Sequence, residues 1–249
     1  FKMRSKIGLN LTSNYSINFS LPKRHKKSIK FIIIHYTGMK SEVGAIQRLC
    51  DYKSKVSSHY FIKNNGQVLN MVPDLFEAWH AGKSYWKKNK YLNKSSIGIE
   101  INNPGHDHKY NDFSFKQISA LVALLRNLIK KYNIEVQNIL GHSDIAPLRK
   151  KDPGEKFPWK KLAKKKICVW HNLNEKKIKK FRNVKIKADE IMKFYRNLHE
   201  FGYPKFSAPK EKIKNFLLVK AFQRRFRQGL INGKIDKECL MISEDLFKR

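Results

Sequence analysis

The tightest constraint in this chain of 249 residues is the apolar run Phe31-Ile32-Ile33-Ile34, which stops at His35-Tyr36-Thr37-Gly38. Unbroken β-prone residues fit a strand buried on both faces, and such strands belong to sheets with helices packed on each side. A buried strand ending in a polar residue delivers that side chain to the rim of the sheet, so His35 is expected where chemistry can occur. Ser95 to Asn102, SSIGIEIN, reads as a second strand, with Glu100 on the face opposite Ile99 and Ile101. A charge in that setting needs a partner.

The remaining elements complete an α/β pattern. Residues 1–29 are polar and basic, broken by Pro22, and read as an irregular lead-in. Ser41 can cap a short helix to about Tyr52, with Ile46, Leu49 and Cys50 inward. Residues 59–63 and 67–72 make the arms of a hairpin through Asn64-Asn65-Gly66, where Asn and Gly tolerate positive φ. The aromatic segment Ala78 to Trp86 reads as a loop, either a ligand-binding rim or a packed tryptophan corner. Ser114 with Gln117 forms a capping box before an amphipathic helix bearing Ile118, Leu121, Val122, Leu125, Leu128, Ile129 and Tyr132. Val136 to Leu140 then reads as a strand leading to Gly141-His142.

The segment GHSDIAPLRKKDPGEKFPW, Gly141 to Trp159, carries the densest chemistry. His142 offers an imidazole nitrogen and Asp152 a carboxylate oxygen; with His35 they make the three protein ligands of a catalytic zinc, which leaves a fourth position for water. Each histidine alone is more readily a packed or surface imidazole, so the combination carries the reading. An amide hydrolase also needs a base, for which Glu100 is the strand-borne carboxylate available, and a positive group for the oxyanion. Lys150 precedes Asp152 by two residues and would share its side in an extended segment.

A formal charge of +33 favours polyanionic partners, although the lysines are scattered along the chain and biased proteome composition explains much of the excess. Nucleic acid is not expected as a partner, because no reader motif or aromatic-interleaved basic patch accompanies the charge. Cys50, Cys168 and Cys239 are odd in number without CxxC spacing, so neither a disulfide framework nor a zinc knuckle follows. No run approaches the roughly 18 apolar residues of a membrane span. Phe1-Lys2-Met3 does not look like a natural start, so a signal or membrane anchor upstream is an expectation.

In order, HYTG, SSHYFI with NNGQV, AWHAGKSYW, SIGIEI, GHSDIAP and RKKDPGEKFPW resemble the zinc N-acetylmuramoyl-L-alanine amidases of the amidase type 2 family, over roughly residues 28–165. The resemblance implies a mixed central sheet flanked by helices. It also implies cleavage of the amide between the lactyl group of N-acetylmuramic acid and L-alanine in peptidoglycan or muropeptides, including 1,6-anhydro forms. Carried over residue by residue, the Zn2+ ligands are His35, His142 and Asp152, the catalytic glutamate Glu100, and the oxyanion-stabilising lysine Lys150. Tyr36, Ser143 and Arg149 fall at substrate positions, with His80 at the rim. The alternative is a non-catalytic peptidoglycan-recognition protein on the same fold, whose kind usually lacks a metal ligand.

Beyond a catalytic domain at 1–171 and a linker at 172–184, residues 185–249 carry three helical patterns near 187–199, 210–227 and 236–247. Ala221-Phe222-Gln223 and Asn232-Gly233-Lys234-Ile235-Asp236 resemble the signature of a three-helix peptidoglycan-binding domain, with Asn232 where Asp is usual. That second module favours the branch of the family found in the bacterial cell envelope, periplasmic or at the outer membrane. A monomer is expected.

Overall fold

A computed structural model describes residues 15–206 and 211–248, with the backbone of strands β1 (Met3–Arg4) and β2 (Asn10–Ser13). These two join β3 (Phe31–Tyr36), β4 (Tyr60–Ile62), β5 (Val68–Asn70), β6 (Ser96–Ile101) and β7 (Ile139–Gly141) in one sheet, ordered β1-β2-β5-β4-β6-β3-β7. The β1–β2 and β5–β4 pairs are antiparallel and the others parallel, which makes the sheet mixed. Residues 10–13, read from sequence as irregular, instead extend the sheet beside β5. The hairpin, the Ser41 cap of helix α1 (Glu42–Cys50) and the Ser114–Gln117 capping box of α2 (Phe115–Tyr132) lie where the sequence puts them.

Strand alternation divides the core. Ile32, Ile34, Ile97, Ile99 and Ile101 face α2, which buries Leu121, Leu124, Leu125 and Leu128 against them. Phe31, Ile33 and Leu140 face the other way. The expected strand at 136–140 is shorter: Val136–Asn138 form a 3-10 turn, and only Ile139–Gly141 pair with Ile32–Ile34 of β3. Polar Gln137 and Asn138 offer no alternating apolar face to bury there.

The second face is covered by the C-terminal helices α3 (Ala188–Phe201), α4 (Lys212–Phe226) and α5 (Lys237–Phe247). Phe194, Leu198, Leu218, Phe222, Phe226 and Leu240 form one apolar cluster with Phe31, Ile33, Trp86 and Leu140 of the sheet half. Within the aromatic segment 78–86, Trp86 is a packed corner, with its ring edge-on to Tyr203 at 4.8 Å, whereas Trp79 lines a cleft. Residues 172–184, expected as a linker, carry the short helix Glu175–Ile178 and a 3-10 turn Lys179–Phe181, with Ile178 buried in the same cluster. Gln223 and Asn232 of the signature are taken up internally. Gln223 Oε1 accepts from the Gly233 amide at 2.8 Å, and Asn232 Oδ1 accepts from Arg227 Nη2 at 3.0 Å. Among the described residues no helix is long and apolar enough to cross a membrane.

Because the apolar cluster runs without a break from sheet to C-terminal helices, Phe222→Ala is expected to cost about 3–5 kcal/mol. It should also move a single unfolding transition shared by both halves. Urea unfolding followed by far-UV circular dichroism and tryptophan fluorescence checks this; two separated transitions would contradict a common core.

Candidate active site

Parallel neighbours bring equivalent residues side by side at the carboxyl ends of their strands, where open α/β sheets place ligands. Here Glu100 of β6 pairs in register with His35 of β3, and Gly141 of β7 with Ile34. His142 follows Gly141, so three adjacent strands deliver Glu100, His35 and His142 to one rim. Asp152 comes from the following loop, which is drawn in because Gly141 has no side chain: a Cβ there would lie 2.7 Å from Pro153 Cδ. The Ser143 amide then donates to the Asp152 carbonyl at 2.8 Å.

His35 Nδ1, His142 Nδ1 and Asp152 Oδ2 form a triangle with edges of 2.9, 3.0 and 3.1 Å. Tetrahedral zinc ligands at about 2.0–2.1 Å from the ion stand about 3.3 Å apart, so this buried triangle approximates one face of such a shell. Two imidazoles and a carboxylate are also a donor set that suits zinc. The residues present therefore fit the metal.

Hydrogen bonds behind the triangle select the tautomers. Ser96 Oγ donates to the Leu92 carbonyl at 2.6 Å, so it accepts from His80 Nε2–H at 3.2 Å. His80 Nδ1 is then left to accept from His35 Nε2–H at 3.1 Å, which turns the lone pair of His35 Nδ1 toward the shared centre. His142 Nε2–H donates to the Ala81 carbonyl at 3.2 Å with the same effect on its Nδ1. Gly98 makes the relay sterically possible, since a Cβ there would meet the His80 ring at 2.4 Å.

The same groups have displaced proton affinities. Burial and the facing His142 push the His35 imidazole down to about 4, against the pull of Asp152. Burial drives the Asp152 carboxyl up, but the two imidazoles outweigh it and hold the group well below the usual carboxylate range. Burial, with the Asp152 charge adding to it and Lys150 opposing it, raises Glu100 to about 8. Glu100 Oε2 is shut off from solvent and has no hydrogen-bond partner among the described residues.

These side chains line a cleft of about 750 Å³ that also exposes Tyr36, Arg48, Lys150 and Lys151. Lys150 reaches the wall from a turn, its amide bonded to the Ala146 carbonyl, and not from the extended segment expected. Tyr36 also lines the cleft, with its hydroxyl 2.8 Å from His106 Nδ1, and His106 Nε2 lies 3.0 Å from Glu155 Oε2. His80 sits behind His35 and also lines the cleft. Ser143 is buried and does not line the cleft. Arg149 lines it, but its guanidinium holds the carbonyls of Ala81 and Lys83. Sequence reasoning missed Ser96, His106 and Glu155. For Ser96 a signal existed, because Ser96, Gly98 and Glu100 share one face of β6 and only a small residue at 98 admits an imidazole.

A family model described as N-acetylmuramoyl-L-alanine amidase matches residues 25–155, the span that holds all five proposed metal and catalytic side chains. The chain belongs to the N-acetylmuramoyl-L-alanine amidase family. It is 34% identical to the amidase AmiD of Escherichia coli over 89% of this chain and 83% of that protein. The solved complex of AmiD with anhydro-N-acetylmuramic acid-L-Ala-D-gamma-Glu-L-Lys superposes with a TM-score of 0.77 at 33% identity, covering 89% of each chain. AmpDh3 of Pseudomonas aeruginosa, in complex with an anhydromuramic pentapeptide, gives 0.78 at 28% identity over 92% of this chain and 95% of that one. The likeness to both reaches into the C-terminal helices.

Folding favours the protonated Glu100 carboxyl, because its folded value of about 8 lies above the ordinary 4.5. That stabilisation is complete below the ordinary value and is lost as pH rises through the folded one. Glu100→Gln, neutral throughout, is therefore expected to flatten the pH dependence of metal-free stability across this window. Urea midpoints in chelator measure it, and an unaltered slope would count against a desolvated Glu100.

Proposed function

We propose that this amidase hydrolyses the bond between the lactyl group of N-acetylmuramic acid, including its 1,6-anhydro form, and the L-alanine of the stem peptide. In this reading His35, His142 and Asp152 hold Zn2+, Glu100 is the general base and Lys150 stabilises the oxyanion. The observation that carries it is the convergence of two imidazole nitrogens and one carboxylate oxygen within 2.9–3.1 Å, on the wall of the cleft that also holds Glu100 and Lys150. The anhydromuramic peptides bound by AmiD and AmpDh3 support the substrate class. The same proposal places the enzyme in the bacterial cell envelope, acting as a monomer on peptidoglycan or its muropeptides.

His35, His142 and Asp152 would hold Zn2+, whose Lewis acidity would lower the pKa of a water toward about 7. Glu100 accepts the proton of that water and returns it to the leaving alanine nitrogen, which otherwise departs as an unstable amide anion. The positive charge of Lys150 favours the carboxylate form that this base requires. As the carbonyl carbon becomes tetrahedral, Lys150 Nζ offers a cation to the oxygen that gains charge. Arg48 adds positive charge along the cleft, suited to the carboxylates of a stem peptide, while Lys151 lies 3.7 Å from Asp107. A binding-only recognition protein would have no use for a complete donor triangle flanked by a desolvated carboxyl and a lysine.

Glu100→Ala is expected to bind zinc stoichiometrically while losing about 10²–10⁴ in kcat. Lys150→Ala should lose about 10²–10³ with zinc retained. His142→Ala should lose the metal itself. Zinc content by atomic emission and muropeptide cleavage by mass spectrometry separate these outcomes; normal turnover by Glu100→Ala, or full zinc in His142→Ala, would sink the assignments.

A further inference from the structure

The turn that carries His142 is held from outside the sheet. Asp144, two residues on, is 2% exposed and lies in the one-turn helix His142–Ile145. Its Oδ2 accepts from the Gly141 amide at 2.7 Å, which closes that turn on itself. The other partners of its carboxylate come from the C-terminal helices. Arg225 Nη1 of α4 lies 3.2 Å from Oδ2, and the Tyr203 hydroxyl, just after α3, donates to Oδ1 at 2.7 Å. Arg225 is itself 3% exposed, donates through Nη2 to the Ile139 carbonyl of β7 at 3.1 Å, and stacks on Trp159 with Cζ 3.4 Å from the ring centroid. Just past the end of α4, Gln228 Nε2 donates to the Phe157 carbonyl at 2.7 Å, in the loop that carries Asp152.

We propose that Arg225 and Tyr203 are positioning residues for the metal site: through Asp144 they fix the His142 turn, so the C-terminal module is a structural part of the catalytic centre. The geometry explains why an arginine is buried against the sheet at all. Its planar guanidinium spans a strand carbonyl and a carboxylate at once, which a lysine ammonium cannot do in the same plane. A buried carboxylate that loses its cation drives local rearrangement, and here the rearranging residue is two positions from a metal ligand. Outer partners of this kind typically govern metal affinity by about 10–100-fold.

The inference rests on the zinc reading above, and the unsubstituted full-length protein tests that reading separately: failure to take up one zinc would defeat the metal assignment whatever Arg225 does. Given uptake, zinc affinity of the full-length chain is measured by competition with a chelating dye, with circular dichroism confirming the fold. Arg225→Met is expected to weaken zinc binding by about 10–100-fold, and Arg225→Lys to recover part of the loss. Phe222→Ala, which lowers stability without touching Asp144, should leave the affinity unchanged. If Arg225→Met cannot be obtained folded, Tyr203→Phe decides, with an expected loss of about fivefold for one hydrogen bond. A folded Arg225→Met, or in its absence Tyr203→Phe, with the affinity of the unsubstituted protein would overturn the proposal. So would a Phe222→Ala variant that loses as much affinity as Arg225→Met.

Discussion

The register of three parallel strands is the constraint on which the site depends. Side chains in a strand alternate between faces, so a slip of one residue in β3 would turn His35 into the isoleucine core and bring Ile34 to its place. The slip is opposed from both sides, because Ile32 and Ile34 pack under α2 while Phe31 and Ile33 pack under the C-terminal helices. With both faces apolar and buried, the order of four hydrophobic residues ending in histidine admits one placement. Glu100 inherits its position from that placement through direct pairing with His35, and His142 through pairing of Gly141 with Ile34.

Rigidity of the strands then shifts the electrostatic cost onto the loops and on the layer behind the ligands. A cation held at this centre needs a lone pair from each imidazole, and the nitrogens that offer them are selected by acceptors at the back: the Ala81 carbonyl for His142, and the His80–Ser96–Leu92 relay for His35. Glu100 is placed differently, with one oxygen that has no hydrogen-bond partner among the described residues. A group so placed is poorly stabilised as an anion and is therefore responsive to any positive charge that enters the cleft, which is a useful property in a base.

What the sequence made readable was periodicity and its interruptions. The alternation in Ser96 to Ile101 separated Glu100 from its apolar neighbours, the Ile118 to Tyr132 pattern specified α2, and Ser41 and Ser114 marked helix starts whose cap hydrogen bonds are present. Edge pairing was unreadable: Asn10–Ser13 carries no alternating apolar face, and its place beside β5 depends on backbone hydrogen bonds that any residue can make. In the 172–184 segment, one buried Ile178 among lysines is enough to tie a polar stretch to a core, which composition alone does not reveal. Contacts far apart in sequence, such as Arg225 with Asp144, leave no periodic trace at all.

His80, Ser143 and Arg149 show that polar residues around the proposed metal ligands also serve as scaffold. His80 orients His35, the Ser143 amide ties down Asp152, and Arg149 holds the Ala81 and Lys83 carbonyls. A ligand whose donor atom must stay close to a fixed point needs its own chain held on several sides, and buried carbonyls near it must find donors. Polar residues nearest in sequence are best able to meet both needs, because the backbone already brings them within reach. For a polar neighbour of such a group, scaffolding is therefore the first expectation; contact with substrate requires that the side chain also reach the open wall, as those of Tyr36, His80, Arg149 and Lys150 do and that of Ser143 does not.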